Sequence, residues 1–146
     1  AAVELAACCD LRLACPAATF HVPAAKLGVV YHAAGLARLR AAFGPGLTRR
    51  LILHGDRVTA DEALAAGVLA RIVDLPALPA AALDLARTLR AGSPRSLRAH
   101  RDLLRLLDRA ARPAAAAAAH HDARAAAYAA ADLEGARRRA LARDEP

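Results

Sequence analysis

Alanine fills 44 of the 146 positions, whereas Val, Ile, Leu, Phe, Tyr and Cys together supply only 39. Alanine is the residue that enters a helix at least cost, while sheet-on-sheet folds depend on β-branched and aromatic side chains. The chain can therefore build one helix-rich core and lacks the material for a sandwich. Its length suits one domain of ordinary size. Two Phe, two Tyr and no Trp also leave few platforms on which bases could stack.

A net charge of +7 invites a nucleic-acid or acidic-membrane reading. The composition argues against it. Lys26 is the sole lysine, the other 20 basic residues are Arg, and Asn, Gln and Met are absent, as GC-rich codon usage would produce. No long uncharged apolar run and no basic-then-apolar leader occurs, so the expectation is a cytoplasmic protein with neither membrane nor nucleic-acid partner. Cys8, Cys9 and Cys15 form neither an even disulfide framework nor a zinc spacing. Their apolar neighbours predict buried, reduced thiols, and no metal site is expected. The pattern opens in mid-element at Ala1-Ala2-Val3-Glu4, which predicts a chain cut from a longer protein.

Residues 2–9 read as a short helix, apolar all round except for Glu4, a charge that implies burial or a pocket. Two strand-like stretches, 10–14 and 19–22, flank Pro16. Gly28 marks a turn, and Tyr31-His32 lie in a loop before the next helix. Helical patterns follow over 35–43 and 46–54, broken by Gly44-Pro45-Gly46. Thr59-Ala60-Asp61-Glu62 has the spacing of a capping box, with Gly67 as the stop of that helix. Residues 68–75 read as a strand. Helices are predicted over 79–91, 94–110 and 113–130, the last two opened by Pro94 and Pro113.

Three groups of side chains are candidates for chemistry. Glu4 sits in the first turn of its helix, where free backbone N–H groups can hold a developing oxyanion and a carboxylate can move protons. The plainer reading is a carboxylate that complements the helix dipole. Tyr31 can donate to a carboxylate or enolate and His32 can change charge near neutral pH, against the alternative of a packed Tyr and an exposed loop His. Arg98, Arg101, Arg105, Arg109 and Arg112 form a basic stripe opposite Leu97, Leu104 and Leu107, by default a solvated face and otherwise an anion or nucleic-acid site. His120-His121-Asp122 cannot chelate one metal together, because adjacent helical positions point apart.

Several of these segments, taken in order, resemble the crotonase superfamily, the enoyl-CoA hydratase/isomerase family. They are Val3-Glu4-Leu5-Ala6-Ala7-Cys8-Cys9-Asp10-Leu11-Arg12, Ala18-Thr19-Phe20, Pro23 with Lys26-Leu27-Gly28, and His54-Gly55-Asp56-Arg57-Val58-Thr59-Ala60-Asp61-Glu62-Ala63-Leu64 with Gly67-Val68-Leu69. A fainter likeness extends to Glu134-Gly135. The resemblance implies an α/β fold, the second half of a crotonase-like ββα spiral over 1–76, followed by a helical, trimerisation-type region over 77–146. It also implies an acyl-CoA substrate, no separate cofactor, and assembly as a trimer or dimer of trimers. In this family two backbone N–H groups stabilise the thioester enolate. One would precede Ala1 and the other is the N–H of Ala1, so the resemblance implies that this stretch alone is inactive.

Glu4 matches one of the two glutamates that hydratases of the family use, and Ala24 stands where the second is usual. His32 and Ala34 replace glycines of the usual loop, and Arg138 and Arg139 stand where Ala-Phe closes the family pattern. Lys26-Leu27-Gly28-Val29-Val30-Tyr31 followed by Gly35 is most similar to the methylmalonyl-CoA decarboxylases of the family, which place a Tyr by the substrate carboxylate. The resemblance thus implies an acyl-CoA lyase, either a decarboxylase of malonyl-type CoA using Tyr31 with His32 beside it, or a hydratase using Glu4 alone. A non-catalytic binding or assembly module using the Arg stripe is the alternative of another class.

Overall fold

The computed structural model describes residues 2–110 and Arg138. In chain order the elements are α1 (Ala2–Ala7), β1 (Leu13–Ala14), β2 (Thr19–His21), α2 (Ala33–Arg49), β3 (Arg57–Thr59), α3 (Ala60–Ala65), β4 (Arg71–Ile72), α4 (Leu78–Arg90) and α5 (Pro94–Ala110). A π-helical turn, Arg50–His54, continues α2, and a 3-10 turn, Leu75–Ala77, precedes α4. The expected helix 113–130, His120-His121-Asp122, Arg112 and Glu134-Gly135 lie outside the described residues, as does Ala1.

The strands form two short pairs. β1 runs parallel to β4, with Leu13 opposite Arg71 and Ala14 opposite Ile72. β2 runs antiparallel to β3, with Phe20 opposite Val58. The expected strand over 68–75 is confined to Arg71–Ile72, because Pro76 cannot donate to a ladder and its fixed φ starts the 3-10 turn.

The Gly44-Pro45-Gly46 break appears as a kink rather than a gap. Gly44 takes φ 70° and ψ 169°, a conformation that L side chains rarely adopt, and the helix resumes through Pro45. Thr48 Oγ1 donates to the Gly44 carbonyl at 2.7 Å, bracing the turn that follows the break. At α3 the predicted capping box is complete: Thr59 accepts from the Glu62 N–H, and the Glu62 carboxylate accepts from the Thr59 N–H. Arg50 then bridges Asp56 at 3.2 Å and Glu62 at 2.9 Å, joining the π turn to α3.

Leu39, Leu51 and Val58 are fully buried between α2, the π turn and β3. Phe20 and Phe43 meet edge to face, their ring centres 5.3 Å apart. Arg12 fixes the exit of α1 by donating to the carbonyls of Ala6 and Cys9 there and, at 2.7 Å, to that of Val68. Only part of α1 faces this core: Val3 and Ala7 pack against it, while Leu5 is 71% exposed. Cys8 and Cys9, expected to be buried, are exposed, and Cys15 is half-buried. An apolar pattern reports side-chain type and not which face finds a neighbour, and both thiols fall where α1 ends beside an open groove.

Candidate active site

Glu4 is the only ionisable group of α1, and its surroundings explain why an apolar helix carries it. Three side chains from the loop before α2 and from α2 itself converge on its carboxylate. The Tyr31 hydroxyl donates to Oε2 at 2.7 Å, and His32 Nε2 lies 3.2 Å from both oxygens. The Arg38 guanidinium donates to Oε1 through Nε at 3.1 Å and again through Nη2. Glu4 therefore has donors on both oxygens, in a setting where its side chain is only 19% exposed.

The loop is shaped to deliver these groups. His32 is the N-cap of α2, its Nδ1 accepting the Gly35 N–H at 3.1 Å. A backbone N–H can only donate, so Nδ1 carries no proton and the neutral ring bears its hydrogen on Nε2, pointed at Glu4. Tyr31 and His32 stack with ring centres 5.3 Å apart and planes 18° from parallel. Gly35 makes room for them. A Cβ there would lie 2.6 Å from Tyr31 Cε1 and 2.8 Å from His32 Nε2, so any side chain would push both rings off the carboxylate.

The electrostatics follow from this geometry. Hydrogen bonds from Arg38, Tyr31 and His32, in that order of weight for Arg38 and Tyr31, outweigh burial and hold the Glu4 carboxyl at about 2, below its ordinary 4.5. Burial and the bond to Glu4 push the Tyr31 hydroxyl up to about 12. The bond to Glu4 also raises the Arg38 guanidinium. At neutral pH the cluster is an ionised carboxylate, a neutral phenol and a cation. Such a carboxylate is an anchor for donors and a weak base.

Glu4, Tyr31 and His32, singled out separately in the sequence, thus meet in one site. Arg38 was missed. Its signal was the i, i+3 spacing of Gly35 and Arg38, which puts Arg38 one turn into α2 beyond the Tyr31-His32 loop. One Arg among 20 gave no reason to choose it.

The Arg stripe presents a different picture. Arg98, Arg101 and Arg105 line an open groove of about 1260 Å³ at the far end of α1, together with Leu85, Leu97 and Leu104. Arg105 pairs with Asp10 at 3.2 Å and Arg101 with Asp102 at 3.0 Å. The groove therefore meets both faces of an amphipathic helix, the arginine stripe and the leucine side. Arg38 is the member of the Glu4 cluster that also borders this groove. Among the described residues, no helix is long and apolar enough to cross a membrane.

The sequence profile of the enoyl-CoA hydratase/isomerase family matches residues 1–137, so the chain belongs to that family. Its similarity to carnitinyl-CoA dehydratase of Salmonella arizonae is 35% identity over 102 residues, 70% of this chain and 39% of the relative. A crystal structure of methylmalonyl-CoA decarboxylase superposes with TM-score 0.85 at 26% identity, covering 99% of this chain and 57% of that one. An enoyl-CoA hydratase/carnithine racemase from Magnetospirillum magneticum superposes with TM-score 0.68 at 34% identity, over 79% of this chain and 43% of its own. The chain thus spans about two fifths of the curated relatives and somewhat over half of the solved decarboxylase. The crotonase-like α/β fold expected from the sequence is the fold of these structures.

Proposed function

We propose that the protein acts on an acyl-CoA thioester through an enolate held at the head of α1, and that the reaction is decarboxylation of a malonyl-type CoA. The observation that carries this reading is the Glu4 carboxylate with donors on both oxygens. Loss of CO2 breaks the bond between the α-carbon and the carboxylate and leaves its electron pair as the enolate, so no side chain has to remove a proton. A proton taken up from solvent water by that carbon completes the reaction. Tyr31, His32 and Arg38 are engaged by Glu4, so the donors that hold the enolate are, in this reading, backbone N–H groups, that of Ala1 among them. On the same reading the Tyr31 ring, its one O–H committed to Glu4, borders the substrate carboxylate, with His32 stacked on it. A solved complex of the similar methylmalonyl-CoA decarboxylase with 2S-carboxypropyl CoA supports this choice of acyl group.

A second reading, hydration or dehydration of an enoyl-CoA with Glu4 as the base, is favoured by the 35% identity to carnitinyl-CoA dehydratase. A carboxyl held near 2 is poorly matched to abstracting protons at neutral pH, and Ala24 supplies no second carboxylate. The test is CO2 release from methylmalonyl-CoA by the full-length protein, set beside its hydration of crotonyl-CoA. Decarboxylation that falls at least tenfold in Tyr31→Phe, with no hydration, supports the proposal. Hydration lost in Glu4→Gln, with no CO2 released, overturns it. Assembly as a trimer or dimer of trimers and a cytoplasmic location belong to the same proposal, the latter supported by three free thiols.

A further inference from the structure

Arg38 has no role in the chemistry just proposed, yet it makes the ionic contact to the one carboxylate of the site. Its guanidinium grips Oε1 and thereby turns Oε2 toward Tyr31 and His32. We infer that Arg38 is a positioning residue that sets substrate charge: by neutralising Glu4 it lets a thioester bearing its own carboxylate sit beside Tyr31. The inference rests on the malonyl-type reading above and deepens it.

Without Arg38, Glu4 would face the incoming carboxylate as a bare negative charge. Like charges a few ångströms apart repel even in a partly hydrated site, whereas an ion pair presents no net charge. The groups that meet Glu4 are Tyr31 and His32 from the loop and Arg38 from α2, and Arg38 is the one whose charge is permanent. A purely structural Arg would affect all ligands alike. A charge-setting Arg affects those carrying a carboxylate.

The experiment measures dissociation constants of two inert thioethers, 2-carboxypropyl-CoA and S-propyl-CoA, and reads their ratio. In Arg38→Met the ratio is expected to move at least tenfold against the carboxylated ligand. Glu4→Gln is expected to move it the other way. The double variant Glu4→Gln with Arg38→Met, which removes both charges, should return the ratio to within threefold of wild type, and Arg38→Lys should hold it within threefold. If Arg38→Met does not fold, the double variant and Arg38→Lys carry the test. An unchanged ratio in Arg38→Met, no recovery in the double variant, or a wild type that binds neither thioether overturns the inference. Because the thioethers do not react, absence of CO2 release with this charge pattern intact would sink the decarboxylation reading alone. CO2 release without the pattern would sink the role of Arg38 alone.

Discussion

Two parts of the molecule use the same residue types to different ends. Around Glu4, a carboxylate, an arginine, a tyrosine and a histidine close on one another, and each polar atom is placed by its partners. Along α5, arginines and leucines stand exposed on one groove wall, and the ion pairs of Arg101 and Arg105 are on the surface. The difference lies in convergence. Tyr31, His32 and Arg38 reach Glu4 from 27, 28 and 34 residues away and meet on a helix start braced by the core. Arg101 pairs with its immediate neighbour, an arrangement worth little in water.

The sharpest way to break this comparison is one substitution made in both parts. Leu39 is wholly buried in α2, and Leu104 is 62% exposed in α5. Leu39→Ala should cost about 3 kcal/mol through the cavity it leaves, and Leu104→Ala under about 0.5 kcal/mol. Chemical denaturation of the two variants checks this, and equal losses would mean that α5 is braced as firmly as α2. Gly35→Ala comes next. The contacts awaiting a Cβ there predict a loss of about 1–3 kcal/mol, together with loss of the Tyr31–Glu4 bond, visible in the tyrosine ultraviolet difference spectrum.

The third effect depends on pH. Because the folded Glu4 carboxyl lies at about 2 and the unfolded one near 4.5, the folded state favours its ionised form. That stability is fully present above about pH 5 and fades as pH falls from 4.5 toward 2. Half-exposed Arg38 is screened by solvent, which leaves about 1–2 kcal/mol at stake. The stability gap between wild type and Glu4→Gln should therefore close as pH falls from 5 to 2.5 in thermal melts, and a constant gap would contradict the cluster. Smallest is Arg105→Ala, which removes an exposed pair with Asp10 and should change stability by less than about 0.5 kcal/mol. A loss above 1 kcal/mol would place α5 among the firmly held elements.

What could be read without coordinates was local. The capping box at Thr59, the break at Gly44 and the opening of α5 at Pro94 each depend on residues within a turn of one another. Glu4 stood out as the single charge in an apolar helix, and Tyr31 and His32 as polar rings in a loop. Less legible were the short strands, since a ladder of two residues leaves almost no alternation to detect. The exposure of Cys8 and Cys9 ran against the apolar setting that predicted burial.

Among the described residues, the sequence by itself determined that most of the helical stretches are helical and which carboxylate was out of place, because propensity, capping and turn chemistry act between near neighbours. Tertiary structure alone decided that Arg38 closes on Glu4, that His32 must offer its Nε2 hydrogen, and that α5 borders the groove at the far end of α1. Those are contacts between residues far apart in the chain. No local periodicity encodes which of many similar side chains the packed core will bring together.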